Sequence, residues 1–143
     1  MSAIPARPVR PVTVIELSDA LQRHGESLTT HSILLQDDLQ RQFRLPVGPC
    51  EALGIKVVLE NRLVSRPITH DLILNLLTRL GGEVAHIEID QAGKNWRAKV
   101  SLRASAGLYV VEAGHGDAIA LALRANAPIF ATEAVITGEE PPP

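Results

Sequence analysis

One run of ten residues, NWRAKVSLRA at 95–104, restricts the fold more than any other part of the sequence. Its side chains alternate strictly along a β-strand, with Trp96, Ala98, Val100 and Leu102 on one face and Arg97, Lys99, Ser101 and Arg103 on the other. The flanking segments, EVAHIEID and LYVVEA, also predict strands, and only the short turns QAGK and SAG separate the three. Turns this short join antiparallel strands. This half of the chain therefore predicts an antiparallel sheet whose one face is basic and exposed to solvent.

The first half of the chain predicts the same order of elements. VTVIEL, HSILLQ and QFRLPV predict three strands, and the polar segment 22–30 predicts a loop between the first two. Gly48 and Pro49 predict the start of a helix that continues to about residue 60. In the second half, a helix is expected over residues 117–126, and PIFA predicts a short closing strand. The two halves therefore share a β-β-β-α order.

The segment between the halves, RPITHDLILNLLTRLGG, carries the clearest helix pattern in the chain. Thr69 is expected to cap this helix, Asp71 lies in its first turn, and leucines and isoleucines form one apolar stripe. Gly81 and Gly82 are expected to end it.

FRLPVGPCEALGI and YVVEAGHGDAIAL suggest that the halves arose by duplication. Each runs through a strand, a glycine, two residues, an acid, an alanine and an apolar helix, so that Glu51 corresponds to Asp117. We predict an α+β fold of mixed or antiparallel sheets with helices, built from two β-β-β-α units. The domain is expected over residues 12–137, with a flexible N-terminal segment at 1–11 and a disordered tail at 138–143.

Composition limits the functions to be considered. The chain has 143 residues, a formal net charge of −2 and 3% aromatic residues, which argues against tight non-specific binding to nucleic acid. No apolar run approaches the roughly 20 residues that cross a bilayer, so no membrane contact is expected. The lone Cys50 and the absence of a secretory signal favour the cytoplasm. Cys50 is either a reactive thiol at a helix start or, as we favour, a small buried residue.

Gly114, Gly116 and Ala120 fall at the G-x-G-x-x-A spacing of a dinucleotide-binding turn. That turn needs a parallel sheet of βαβ units, whereas the strands before Gly114 predict hairpins. We therefore expect no nucleotide cofactor, and we interpret Gly116 as a helix N-cap or tight turn. The histidines also lack paired metal-ligand spacing; they are His24, His31, His70, His86 and His115.

Glu51, Asp71 and Asp117 each fall in the first turn of a predicted helix. The helix dipole favours carboxylates there for structural reasons alone. Carboxylates that converged would also suit a divalent ion that assists phosphodiester hydrolysis. The sequence leaves both interpretations open, because it does not show whether the three side chains meet.

RPITHDLILNLLTRLGG, GDAIALALR and APIF, in this order and spacing, resemble the bifunctional nuclease domain family. These are small bacterial and plant proteins to which DNase and RNase activity has been ascribed. The resemblance covers residues 12–136 and is most specific at 66–72 and 117–124. It implies a Mg²⁺- or Mn²⁺-dependent nuclease. The implied catalytic residues are Asp71, Asp117, Glu51 and His70, with Asp71 and Asp117 as metal ligands, His70 as proton carrier, and Arg66 and Arg124 near phosphate.

The chain departs from the family at a point that matters for activity. The family usually reads Asp-Ala-Arg-Pro-Ser-Asp before its helix, whereas this chain has Gly114, His115 and Gly116 in place of Arg-Pro-Ser. A cationic phosphate contact and a serine N-cap are therefore missing, and weak activity is expected. The alternative is a non-catalytic regulatory or scaffolding module that keeps the fold.

Two kinds of partner are expected. Single-stranded nucleic acid should bind weakly, with Arg97 and Lys99 of the basic strand face as phosphate contacts. A homo-oligomer, a dimer or larger, is expected because AIALALRANA and the LILNLL stripe offer more apolar surface than a chain of this size hides. A nuclease should gather its cations near the acids, whereas a scaffold need not; the cations are Arg66, Arg97, Lys99, Arg103 and Arg124.

Overall fold

The computed structural model describes residues 8–22 and 28–138. These residues form seven strands and four helices. In chain order the elements are β1 (Val9–Gln22), β2 (Leu28–Asp37), β3 (Gln42–Val47), α1 (Pro49–Leu59), α2 (Thr69–Arg79), β4 (Glu83–Ala92), β5 (Asn95–Ala104), β6 (Gly107–Ala113), α3 (His115–Ala125), β7 (Ile129–Thr132) and α4 (Glu133–Thr137). The α+β class predicted from the sequence is confirmed.

The seven strands form one mixed sheet in the order β3-β2-β1-β7-β4-β5-β6. All neighbouring strands are antiparallel except β4 and β7, which are parallel. The predicted β4-β5-β6 meander is therefore present, with β5 at the bounds expected from its alternation. The short β7 lies between the two three-stranded units and joins them into one sheet.

The arrangement of the elements fits the proposed duplication. β1-β2-β3-α1 and β4-β5-β6-α3 follow the same order along the chain, and the two sets of strands run outward from β7 to opposite edges of the sheet. Because β1 is antiparallel to β7 and β4 is parallel to it, the two units are related by an approximate two-fold axis through β7. Their helices, α1 and α3, pack against each other.

The helices cover one face of the sheet. The buried side chains of the sheet and of the helices form a single cluster between them. Ile33, Leu35, Ile87 and Ile89 of the sheet lie in this cluster with Ile119 of α3, and all five are fully buried. Burying side chains of this size contributes about 1.5–3 kcal/mol each relative to exposure. The alternation of β5 is confirmed in the same way, since Ala98 and Val100 are buried whereas Arg97, Lys99 and Arg103 are exposed.

Two of the three predicted helices start one or two residues before the expected position. α1 begins as expected, with Gly48 as N-cap and Pro49 as its first residue. α2 has Ile68 as N-cap, so Thr69 is already helical rather than the cap. α3 has Gly114 as N-cap, so the interpretation of Gly116 as the cap is wrong: Gly116 is buried within the first turn.

Other expectations need correction at the level of local structure. β2 begins at Leu28, so residues 28–30 are strand rather than loop, while residues 23–27, and with them His24, lie outside the described residues. The α4 helix was not predicted. Cys50 is exposed, which contradicts its interpretation as a buried residue.

The ends of the domain are described only in part. β1 begins at Val9, and residues 9–12 pair with β7, so the sheet includes part of the segment expected to precede the domain. Of the expected tail at 138–143, only Gly138 belongs to the described residues. Among the helices of residues 8–22 and 28–138, none is long and apolar enough to cross a membrane.

Candidate functional site

A histidine and an aspartate from different helices meet where α2 and α3 approach each other. His70, in the first turn of α2, donates from Nε2 to Oδ1 of Asp117, in the first turn of α3, over 2.9 Å. The imidazole side chain is only 5% exposed, whereas the carboxylate is 51% exposed. The carboxylate is therefore the member of the pair that can contact a bound molecule, and the buried imidazole orients it.

A glycine of α1 makes room for this imidazole. A Cβ atom built on Gly54 would lie 2.3 Å from Nδ1 of His70, which is much closer than such atoms approach in proteins. Residue 54 is buried within α1, where glycine costs about 1 kcal/mol relative to alanine. Helix α1 therefore loses some stability at Gly54, and the imidazole is held between α1 and α3.

The next residue of α2 forms a second contact with α3. Arg124 donates from Nε to Oδ1 of Asp71 over 2.7 Å, and from Nη1 to the carbonyl oxygens of Gly54 and Ala120 over 2.7 Å and 3.1 Å. Its side chain is only 6% exposed. A buried guanidinium needs such partners because an unpaired buried charge is strongly destabilising. Arg124 thus connects α1, α2 and α3.

The pKa of Asp71 is shifted by this environment. Burial acts to raise it, but the hydrogen bonds from Arg124 and from the backbone N–H of Ile68 outweigh burial and hold the pKa below its usual range. The Ile68 N–H contacts Oδ2 over 3.0 Å, so both carboxylate oxygens accept hydrogen bonds from within the protein. Asp71 therefore caps α2 and neutralises Arg124.

Glu51 lies beside the same site without contacting His70. It belongs to the first turn of α1, and its carboxylate folds back over Gly48, where a Cβ atom would lie 2.5 Å from Oε2. A Cβ atom on Gly116 of α3 would lie 2.8 Å from Cβ of Glu51. The starts of α1 and α3 are therefore adjacent, and Gly116 permits that approach.

The acids do not form a site for an ion shared by Asp71 and Asp117. Both oxygens of Asp71 are engaged, and Asp117 is joined instead to His70. Across residues 8–22 and 28–138, no three His, Cys, Asp or Glu side chains are grouped to hold an ion. These contacts do not fit the shared metal pair that the family resemblance implied, and metal dependence stays a prediction.

The predicted cations are distributed over separate surfaces. Arg124 is buried beside Asp71, and Arg66 is exposed in the segment before α2. Arg97 and Lys99 alternate with side chains that are buried under the helices, so they lie on the other face of the sheet. Carboxylates on that face balance part of its positive charge. Nη1 of Arg97 lies 3.6 Å from Oε1 of Glu112, and Nη1 of Arg103 lies 2.7 Å from Oε1 of Glu83.

A strongly apolar groove of about 600 Å³ leads away from the exposed carboxylate of Asp117. The groove runs between α2 and the β5-β6 hairpin. It is lined by Ile73 and Leu76 of α2, by Leu80 at the end of that helix, and by Leu102 and Val111 of the sheet. Thr69, Gly114 and Asp117 also line it.

Asp37, a buried carboxylate, was not identified from the sequence. Asp37 is buried at the end of β2 and accepts hydrogen bonds from the Leu39 and Arg41 N–H groups and from Nε of Arg41, at 2.8–3.0 Å. Burial acts to raise the pKa of Asp37, but these hydrogen bonds hold it below its usual range. Arg41 also contacts Glu133 of α4. This network connects the β2-β3 turn to α4. In the sequence, it was indicated only by the four-residue spacing of Asp37 and Arg41.

His115 also makes contacts that the sequence did not predict. Its Nε2 donates to the carbonyl oxygen of Pro46 in β3, and its ring lies 5.8 Å from that of Trp96. These contacts fix the start of α3 against both halves of the sheet. His115 therefore makes structural contacts at the position where the family usually has proline.

These features define a small α+β domain in which a histidine–aspartate pair joins two helices beside an apolar groove. The chain belongs to the bifunctional nuclease domain family, which it matches over residues 33–142. The resemblance noted in the sequence is thereby confirmed.

Two relatives give the same degree of similarity. They are the uncharacterized proteins MT1877 and Rv1829 of Mycobacterium tuberculosis, from strains CDC 1551 / Oshkosh and ATCC 25618 / H37Rv. Each is 30% identical over 105 residues, which is 73% of this chain and 62% of the relative. The match therefore covers less than two thirds of their length.

Proposed function

We propose that this protein hydrolyses phosphodiester bonds in single-stranded nucleic acid, weakly, with Asp117 as the catalytic carboxylate. The observation that carries the proposal is the 2.9 Å contact between His70 and Asp117, which leaves the acid half-exposed in a chain of the bifunctional nuclease domain family. The pair lies at the start of α3, where the first N–H groups of the helix have no partner within it.

The proposed reaction uses these groups as follows. The Asp117 carboxylate takes a proton from a water molecule as the water oxygen attacks phosphorus. The bond from phosphorus to the leaving oxygen breaks, and that oxygen takes a proton from solvent. His70 holds Oδ1 of Asp117 by its hydrogen bond, so that the other carboxylate oxygen faces the water. A general base positioned in this way contributes about 10²–10⁴-fold to the rate.

The start of α3 supplies the positive potential for phosphate. N–H groups in a first helical turn and the helix dipole both favour anions. Gly114 contributes no cation where the family usually has arginine, so at the start of α3 the phosphate is held by backbone N–H groups without help from a side chain at this position. Weak binding and low turnover are the consequence.

The test is a cleavage assay on single-stranded DNA and RNA, with and without Mg²⁺ or Mn²⁺. Asp117→Asn should lower the rate at least about 10²-fold, as expected for loss of a general base. His70→Gln should lower it less, because the carboxylate remains. Asp38→Asn is the matched control, since Asp38 is an exposed carboxylate in the β2-β3 turn. Equal rates for wild type and Asp117→Asn would refute the proposal.

A second candidate function is a non-catalytic regulatory or scaffolding module. The observation that favours it is the distribution of cations: Arg97, Lys99 and Arg103 lie on the far face of the sheet, and Arg124 is buried with Asp71. A nuclease was expected to gather these side chains near its acids. Absence of cleavage in every metal condition, with no metal-dependent change in melting temperature, would favour this alternative.

A further inference from the structure

The two terminal strands of the described sheet differ in how they are protected. β3 presents Gln42, Arg44 and Pro46 on its exposed positions. Charged side chains and proline at a sheet edge discourage pairing with another chain. β6 has neither between residues 107 and 111, and all of its residues except Ala113 are exposed. The β6 edge is therefore an open template for a further strand.

The backbone of β6 is arranged to accept that strand. Ala104 and Gly107 face each other across a two-residue turn, so they form a hydrogen-bonded pair, and such pairs alternate along the ladder. The N–H and C=O groups of Leu108, Val110 and Glu112 consequently point away from β5. These three residues are evenly spaced about Val110, so the edge is complementary to a second copy of itself in antiparallel orientation.

Apolar side chains surround this edge. The exposed members are Ile73 and Leu76 of α2, Leu80 at its C-cap, and Leu108, Tyr109, Val110 and Val111 of β6, each between 40% and 81% exposed. Tyr109 and Val111 share the helix face with Leu102 and Val100 of β5, whereas Leu108 and Val110 lie on the opposite face with Arg103 and Ser101. A strand of a second copy added at this edge would therefore cover apolar side chains on both faces of the sheet.

We propose that β6 pairs antiparallel with β6 of a second copy of this chain, about a two-fold axis at Val110. Val110 then faces the partner's Val110, Leu108 faces the partner's Glu112, and Tyr109 faces the partner's Val111. The two sheets continue into one, and every outward backbone group of Leu108, Val110 and Glu112 gains a partner.

The same pairing gives the apolar groove a second wall. Val111 lines the groove on the helix face of the sheet, and alternation places Tyr109 on that face too. The partner's Tyr109 and Val111 extend this apolar surface past the edge of β6. The groove that begins at Asp117 is thus bounded by residues of both copies. The proposal concerns assembly and does not depend on catalysis.

Light scattering on the 143-residue chain tests the assembly. The wild type should have about twice the chain mass of 15.4 kDa, and Val110→Pro should have about that chain mass. Proline at this position removes only the outward N–H and leaves the β5-β6 hydrogen bonds intact. Leu39→Lys is the control, because Leu39 is 57% exposed in the β2-β3 turn, and it should keep the wild-type mass.

A charge exchange tests the register independently. Val110 is 65% exposed, so Val110→Lys and Val110→Glu should both fold. Mixed together, they should form the heterodimer in several-fold excess over either homodimer, because opposite charges meet only if residue 110 faces its own copy. A wild-type mass of one chain, an unchanged mass in Val110→Pro, or no preference for the heterodimer would each overturn the proposal.

Discussion

Replacing Asp71 by asparagine tests whether its carboxylate stabilises the fold. The substitution leaves one amide oxygen where two carboxylate oxygens accept hydrogen bonds from Arg124 and from the Ile68 N–H. A hydrogen bond to a charged group contributes about 1.5–3 kcal/mol. Asp71 is 29% exposed and Arg124 keeps two carbonyl partners, so the lower part of that range applies. We expect Asp71→Asn to lower the free energy of unfolding by about 2 kcal/mol at pH 7.

The effect should depend on pH in a defined direction. The pKa of Asp71 is lowered in the folded protein, so its stabilising contribution is present above the unfolded value of about 3.9. That contribution is lost as the pH falls through the folded pKa. Arg124 stays protonated throughout. The difference between wild type and Asp71→Asn should therefore shrink as the pH is lowered from 4.

Urea denaturation at a fixed protein concentration, at pH 7 and at several values below 4, measures both effects. A fixed concentration is needed because self-association raises apparent stability. Asp38→Asn is the matched control, because Asp38 forms an exposed ion pair with Arg10 and such pairs contribute about 0–1 kcal/mol. A loss below about 0.5 kcal/mol for Asp71→Asn, or a difference that grows in acid, would refute the reasoning.

Further predictions concern packing and binding. Gly54→Ala should gain about 1 kcal/mol of helix propensity but lose about 1–3 kcal/mol through the clash of its methyl group with the buried imidazole of His70. We therefore expect no net gain in stability, and a raised melting temperature would contradict the prediction. Gly116→Ser restores the residue usual in the family, but its side chain would clash with Glu51 and should destabilise the fold by about 1–3 kcal/mol. Equal urea midpoints for wild type and Gly116→Ser would count against that packing. Binding of single-stranded DNA, measured by fluorescence anisotropy, should weaken as salt is raised and in the double variant Arg97→Ala, Lys99→Ala. The same affinity in all conditions would exclude the basic strand face as the DNA-binding surface.

Features that depend on neighbouring residues were predictable from the sequence. The alternation of residues 95–104 gave the bounds of β5, and Gly48 with Pro49 gave the start of α1, because both patterns report local geometry. The repeated order of strand, glycine and acid indicated two similar units. The α+β class followed, since short turns require antiparallel strands.

Contacts between distant elements were decided only by the tertiary structure. The sequence placed Asp71 and Asp117 each in a first helical turn, yet packing pairs Asp71 with Arg124 and Asp117 with His70, partners 53 and 47 residues away. Likewise β7 lies between β1 and β4, which no local pattern indicates. Periodicity shows which side of an element is buried, but its partner depends on how all the elements share one core.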